Sequence, residues 1–315
     1  MRISLGLGLG NQARPPVAQA LDPLDLFRNG EKGFVLDPSD LGSVFQDIGG
    51  TSPGGGGLPV SVVLDARRQK VVVPVQALIN GSSIPLDNFT PNGLDFTAST
   101  EDAGGMVYQL DRVLGPGNLV LFEAQVTSGD VYVASVLTNS TVGGGTWGSN
   151  RVFLDDGYNR YFLFCNRVSG VMYLQVYVGE PVDLIEFSDV QIHYVTGIHA
   201  IQQVSGERPI LDVTNGSYAL VFAPGVANLD TVLPEAIDGQ ILIAGRTGIF
   251  IGNVSYAAGS DFQLGPDTYT DGPAGVLADV GPVVGMLMID RELTPAEITQ
   301  LVQFYKGRGA GDLLV

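Results

Sequence analysis

The chain alternates between short apolar runs and turn residues along most of its length. Residues 1–30 carry no sustained helical or strand period, and Pro15-Pro16 breaks regular structure. At the very start, however, Ile3, Leu5, Leu7 and Leu9 alternate with Ser4, Gly6 and Gly8. They share one side of an extended segment, so residues 1–30 read as an arm that adds an edge strand to a neighbouring chain or frays. A short helical turn is expected at Asp22-Pro23-Leu24-Asp25-Leu26-Phe27. An apolar strand, Gly33-Phe34-Val35-Leu36, then runs into the turn starter Asp37-Pro38-Ser39-Asp40. Gly49 to Gly57 offers almost no side chain to pack and reads as an exposed loop. Val60 to Asp65 returns as a strand.

From about 71 to 195 the pattern is β almost throughout. Met106 to Leu110, Leu119 to Val126, Val131 to Leu137, Arg160 to Cys165, Met172 to Val178 and Phe187 to Val195 are separated by Gly, Asn and Asp turns. Such spacing indicates an antiparallel sandwich or jelly roll. The run Leu119-Val120-Leu121-Phe122-Glu123-Ala124-Gln125-Val126 is apolar in its first half and alternates in its second. Strand signals recur at Tyr218 to Phe222, Gly239 to Ala244, Gly248 to Ile251 and Val283 to Asp290.

One helix is predicted, over 294–306. Thr294-Pro295-Ala296-Glu297 is a capping box with proline at the first helical position. Ile298, Leu301, Val302 and Tyr305 form one apolar stripe, Lys306 sits in the last turn, and Gly307 is the expected left-handed stop. The fold class is therefore all-β: antiparallel β-sandwich or jelly-roll domains, an extended N-terminal arm and one C-terminal α-helix.

Composition narrows the partners. The 315 residues contain 16 Lys+Arg against 33 Asp+Glu, a formal charge of −17, which argues against a nucleic-acid backbone or an anionic membrane as partner. Charged residues are 16% of the chain, below the usual ~25%, while hydrophobic residues reach 45%, so the chain is ordered and core-rich. Glycine, at 43 residues, is about twice its usual share, as many turns and short elements require. No apolar run approaches the ~18 residues of a membrane span. The glycine-alternating start is unlike a signal-peptide core, so no processed secretory signal is expected. The lone Cys165 sits in an apolar run and reads as a buried structural thiol; it excludes an intrachain disulfide framework.

Candidate chemistry is sparse. The histidines, His193 and His199, lie near no Ser or Cys nucleophile motif, and each reads as a satisfied structural residue. Phosphate-loop and dinucleotide fingerprints are absent. The acid pairs Asp37/Asp40, Glu101/Asp102 and Asp155/Asp156 are weak glycosidase candidates, because neighbouring acids on a strand point to opposite faces and those in turns accept backbone N–H groups. No cofactor is expected. A structural calcium ion is the stronger use of Asp155-Asp156-Gly157, which offers oxygen ligands at a turn. For sugar binding the candidates are Trp147, in a glycine-rich loop, with Tyr158, Asn159 and Arg160 close behind. A loop tryptophan can stack on a sugar, plug an open sandwich edge or pack on a neighbouring subunit.

Three pieces together resemble proteins of tailed bacteriophages and prophages. They are Leu26 to Asp47 with Leu64-Asp65, then Gly197-Ile198-His199-Ala200-Ile201-Gln202-Gln203 with Arg208-Pro209-Ile210-Leu211, and Ile289-Asp290-Arg291-Glu292-Leu293-Thr294 with the closing helix. In that family they belong to one concanavalin A-like (laminin-G-like) β-sandwich, in which the aspartate of the first piece runs almost directly into the second. Here about 130 residues intervene. The resemblance therefore implies a discontinuous sandwich over 31–65 and 196–315, interrupted by an inserted domain over 66–195. The insert is similar to galactose-binding-like or carbohydrate-module-like jelly rolls, and Ile185 to Ile192 match their last strand.

The function implied is a non-enzymatic component of the virion exterior, a tail-fibre, tail-tip or surface appendage protein that binds host-surface glycans. Its partners would be other virion proteins, met through the arm, and further copies of itself in a homo-oligomer, a trimer being usual in phage fibres. A capsid head-decoration or head-fibre protein and a glycan-active hydrolase carrying a binding module are the alternatives.

Overall fold

The computed structural model describes residues 21–81, 84–115, 117–128, 133–138, 149–165, 170–223, 227–265 and 279–314. The arm residues Ile3, Leu5, Leu7 and Leu9 and the loop residue Trp147 lie outside them.

The described chain is all-β apart from short turns and one long helix, α1 (Pro295–Gly307). Four sheets carry it. Sheet I has seven strands, ordered Ile210–Thr214, Ser217–Val221, Val283–Ile289, Ile237–Gly245, Gly248–Tyr256 and Asp312–Leu313, with Gly33–Leu36 also paired to Val283–Ile289. Sheet II has five: Val44–Phe45, Val62–Val63, Ala200–Ile201, Leu229–Val232 and Asp261–Leu264. Sheet III has six: Gly157–Phe164, Leu119–Thr127, Val182–Val195, Asp95–Thr100 and Asp87–Asn92, with Lys70–Val72 beside Val182–Val195. Sheet IV has five: Val152–Leu154, Val133–Thr138, Val171–Val178, Gly104–Leu114 and Val75–Asn80.

These layers stack in the order helix, I, II, III, IV. Leu301 and Tyr305 of α1 bury against Val35, Leu242, Val284 and Leu287 on the outer face of sheet I. Phe34, Ile241, Met286 and Met288 on its inner face meet Val44, Val63 and Phe262 of sheet II. Sheets III and IV enclose a third core that includes Phe96, Tyr108, Phe122, Leu174 and Phe187. A fourth cluster joins the two pairs: Phe45, Val62 and Leu64 from the sheet II side touch Leu119, Leu121, Phe162, Phe164 and Val195 of sheet III.

Sheets III and IV use only strands between residues 70 and 195, and sheets I and II only strands on either side. The ends of that stretch lie side by side. Gln69 N donates to Thr196 Oγ1 (3.0 Å) and Thr196 N donates to Gln69 O (3.0 Å). Beside this crossing sits a buried polar knot. The Asp65 carboxylate accepts from the backbone N–H groups of Val35 (3.1 Å), Arg67 (3.0 Å) and Ile198 (3.1 Å), and pairs with the Arg67 guanidinium at 3.2 Å. Gly197 passes so close that a Cβ there would lie 2.8 Å from Asp65 Cβ, and its φ of +120° also requires glycine.

Asp65 N donates to His199 Nδ1 (3.0 Å), which fixes the other nitrogen as the protonated one, facing Val195 O at 3.3 Å. His199 is thus the satisfied structural histidine expected. Burial pulls it down to about 4, against the opposing attraction of Asp65. The unfolded chain therefore binds a proton that the folded chain refuses as pH falls below about 6.5. Stability is expected to drop by about 3 kcal/mol as pH falls from 6.5 towards 4 and then to level off for this group. Urea unfolding across that range should show the slope in the parent and lose it in His199→Gln.

Three local expectations are refined by packing. The capping box forms: Thr294 Oγ1 accepts from Glu297 N (3.3 Å) and Glu297 Oε2 accepts from Thr294 N (2.8 Å). The left-handed residue after α1 is Gly309 (φ +93°), not Gly307, because the helix runs on through Gly307 and Arg308 and Ala310 both close onto Tyr305 O. The glycine run is not uniformly exposed. Gly49 and Gly50 are buried, and a Cβ on Gly50 would lie 2.1 Å from Phe162 Cδ2, so this stretch is small in order to let sheet III approach.

Candidate ligand-binding face

The outer face of sheet III is half covered and half open. Along Leu119–Thr127, Val120, Phe122, Ala124 and Val126 enter the core with sheet IV, while Leu119 and Leu121 pack under sheet II. The strand is apolar on both faces there because both are covered. Beyond the rim of sheet II the outward positions become Glu123, Gln125 and Thr127, and the sequence begins to alternate. Cross-strand register then sets the neighbours. Tyr158 stands opposite Gln125, Arg160 opposite Glu123 and Phe162 opposite Leu121. From the other side Ser188 faces Gln125, Gln191 faces Glu123 and His193 faces Leu121.

Glu123 is the hub of this face, with its side chain only 12% exposed. Its Oε1 accepts from the Tyr158 hydroxyl at 2.8 Å and lies 3.4 Å from Arg160 Nε. Its Oε2 stands 3.6 Å from both Lys70 Nζ and His193 Nδ1. Tyr158 itself is 64% exposed, so a hydrogen bond at its tip holds a ring whose face is open to water. Partial burial, followed by the bond to Glu123, raises its phenol above the usual range. The Arg160 guanidinium lies over the Phe162 ring, 5.4 Å from its centroid.

His193 departs from expectation. Its Nδ1 is buried with no hydrogen-bond partner among the described residues, since 3.6 Å from Glu123 exceeds bonding distance. Next to this row, Val182–Val195 carries a bulge between Ser188 and Gln191. Asp189 takes a left-handed φ of +53° there, and Val190 N donates to Asp95 Oδ1 at 2.9 Å. Bulges of this kind re-aim side chains beside binding sites.

Of the sequence candidates, Tyr158 and Arg160 come together on this face, two residues apart on one strand. Asn159 points away and closes its own turn, donating from Nδ2 to Asp155 O (2.7 Å) and Gly157 O (2.9 Å) while Oδ1 accepts from Asp155 N (3.1 Å). Asp156 Oδ1 accepts from Ser128 N (2.7 Å) and Ser128 Oγ (3.0 Å). Among the described residues no group of three His, Cys, Asp or Glu side chains stands close enough to hold a metal ion. Asp37 is held by Ser39 and Arg308, and Asp40 by Gly42 N and Arg68. Cys165 is buried and its thiol is pushed up to about 11 by that burial.

Glu123 and Lys70 were not singled out by sequence, and His193 was read there only as a satisfied structural residue. The available signal was the glutamate interrupting an apolar run, at the point where alternation begins. Chemically the face offers one fixed aromatic surface ringed by amide, guanidinium and carboxylate groups, the combination that suits a polar ligand with an apolar side.

No protein-family model and no curated protein sequence matches the chain. Among solved structures it is similar to the enzymatically active domain of bacteriophage CBA120 tailspike protein 4, at 16% identity and a TM-score of 0.25 over 40% of this chain. That match spans only 19% of the tailspike domain. It is also similar to the N-terminal CBM22-1-CBM22-2 tandem domain of Paenibacillus barcinonensis Xyn10C, at 10% identity and a TM-score of 0.26, covering 78% of this chain and 92% of that one. At these scores neither likeness carries functional weight.

Proposed function

We propose that the chain is a non-enzymatic component of a phage virion exterior and that the open half of sheet III holds host-surface glycans. The virion placement follows the sequence resemblance set out above. The binding role rests on one observation: Tyr158 is exposed yet held at its hydroxyl by Glu123. A ring already fixed in place loses little rotamer freedom when a sugar stacks on it, so less of the contact energy is lost to ordering. Gln125, Gln191 and Arg160 flank the ring through cross-strand register and supply hydrogen-bond donors for sugar hydroxyls. Single sites of this size bind weakly, and repetition on an oligomeric fibre converts weak sites into firm attachment. The N-terminal arm would make the contacts with other virion proteins and other copies.

Binding of the purified chain to a glycan array and to whole cells tests this reading. The parent is expected to bind, with Tyr158→Ala lowering affinity roughly 10–100-fold. Glu123→Gln is expected to weaken binding less, because an amide oxygen still accepts the tyrosine proton. Retained glycans should be recovered intact. Cleaved glycan would make the protein a hydrolase, and unchanged binding by Tyr158→Ala would remove the site from this face.

A further inference from the structure

A second site lies at the opposite end of the stack, under the closing helix. A cavity of about 150 Å³ opens between the turn Pro23–Phe27, the Asp37–Asp40 turn and α1, with Asp22, Asp37, Asp40, Phe304, Tyr305 and Arg308 in its lining. Tyr305 is 2% exposed and its hydroxyl has no hydrogen-bond partner among the described residues. The ring cannot swing away to find one. It rests on the backbone of Val283–Ile289 at Gly285, where a Cβ would lie 2.4 Å from Tyr305 Cε1. Burial raises the phenol, with Asp37 adding to the effect, so the hydroxyl keeps its proton and remains a donor. Buried donors without acceptors are rare in native proteins.

The remaining polar groups define what is missing. Asp37 Oδ1 accepts from Ser39 N (2.9 Å) and Ser39 Oγ (2.6 Å), and its other oxygen pairs with Arg308. Asp40 caps the next turn through Gly42 N (3.2 Å) and pairs with Arg68 at 3.1 Å. Asp22 Oδ1 accepts from Leu24 N (3.0 Å), and among the described residues its Oδ2 has no partner. The Arg308 guanidinium donates through Nη1 to Asp37 and to Ser39 Oγ (2.6 Å) and lies 4.4 Å from the Phe304 ring centroid. Its Nη2 and Nε donors have no partner among the described residues. The groups left open in the lining are thus one carboxylate acceptor, at Asp22, and the phenol of Tyr305 with the remaining guanidinium donors of Arg308. A cavity of this volume accommodates a guest of about six heavy atoms.

We propose that this cavity binds a small α-amino-acid zwitterion of the size of alanine. Its ammonium group meets the Asp22 carboxylate, its carboxylate accepts from Tyr305 and Arg308, and its short side chain lies against Leu24, Val35 and Phe304. The site is independent of the sheet III face and of any glycan bound there.

Titration of the full chain with alanine, ethylamine and propionate, followed by amide chemical shifts, separates the parts of this guest. Alanine is expected to bind with a Kd on the order of 1 mM or below, and the two half-molecules at least tenfold more weakly. Tyr305→Phe keeps the ring seated on Gly285 and removes only the donor, and is expected to weaken alanine about tenfold. Asp22→Asn keeps the turn cap and is expected to weaken it similarly. Ethylamine or propionate matching alanine, no binding by any of the three at tens of millimolar, or undiminished binding by Tyr305→Phe would each overturn the proposal.

Discussion

Replacing Asp65 by alanine is expected to destabilise the protein by about 3–5 kcal/mol. The carboxylate is fully buried and accepts three backbone N–H groups, from Val35, Arg67 and Ile198, besides its ion pair with Arg67. Truncation strands those donors and leaves a guanidinium, 22% exposed, without its counter-charge. Asp65→Asn should cost less, because one amide oxygen still accepts. The measurement is the urea midpoint of both variants at constant m-value. A loss below about 1 kcal/mol in Asp65→Ala would mean that water replaces the carboxylate and that the knot is not sealed.

Phe162→Ala is expected to cost a similar amount, about 3–5 kcal/mol, but with a different signature. Phe162 is 1% exposed and lies in the cluster that joins sheet II to sheet III. Its ring meets Phe45 edge-on at 5.4 Å, and Gly50 is small where it passes Phe162. The core between sheets III and IV does not include Phe162, so the substitution weakens the joint more than either sandwich. Calorimetry should therefore resolve two transitions in the variant where a single one is expected for the parent. The same substitution removes the ring beneath Arg160, so glycan affinity should fall even under conditions where both halves remain folded. A single transition at unchanged temperature would show that the joint contributes nothing to cooperativity.

The legible parts of the molecule are those with local causes. The apolar runs of five to eight residues became strands because strand periodicity and turn residues act over a few positions. The capping box at Thr294 formed because its partners are three residues apart. Tyr158, Asn159 and Arg160 were grouped by proximity alone; strand periodicity brings Tyr158 and Arg160, at i and i+2, to one face and turns Asn159 the other way. The end of α1 moved from Gly307 to Gly309 because the chain there answers to tertiary neighbours as well as to its own helix. Arg308 reaches across to Asp37, and Ser217 Oγ donates to Arg308 O at 2.5 Å. Gly49 and Gly50 looked like loop because a glycine run carries no sign of what it packs against.

By itself the amino-acid sequence determined the all-β class, the closing helix, the turn roles of Asp37 and Asp40, the inert buried cysteine and the satisfied state of His199. Each is a matter of period, cap or burial that neighbouring residues set. Only the tertiary structure decided that Lys70, Glu123, Arg160 and His193 converge, that half of one sheet face stays open beside them, and that Tyr305 is buried without a hydrogen-bond partner among the described residues. Those facts depend on cross-strand register and on which layer covers which face, and both are set by residues tens of positions apart or more.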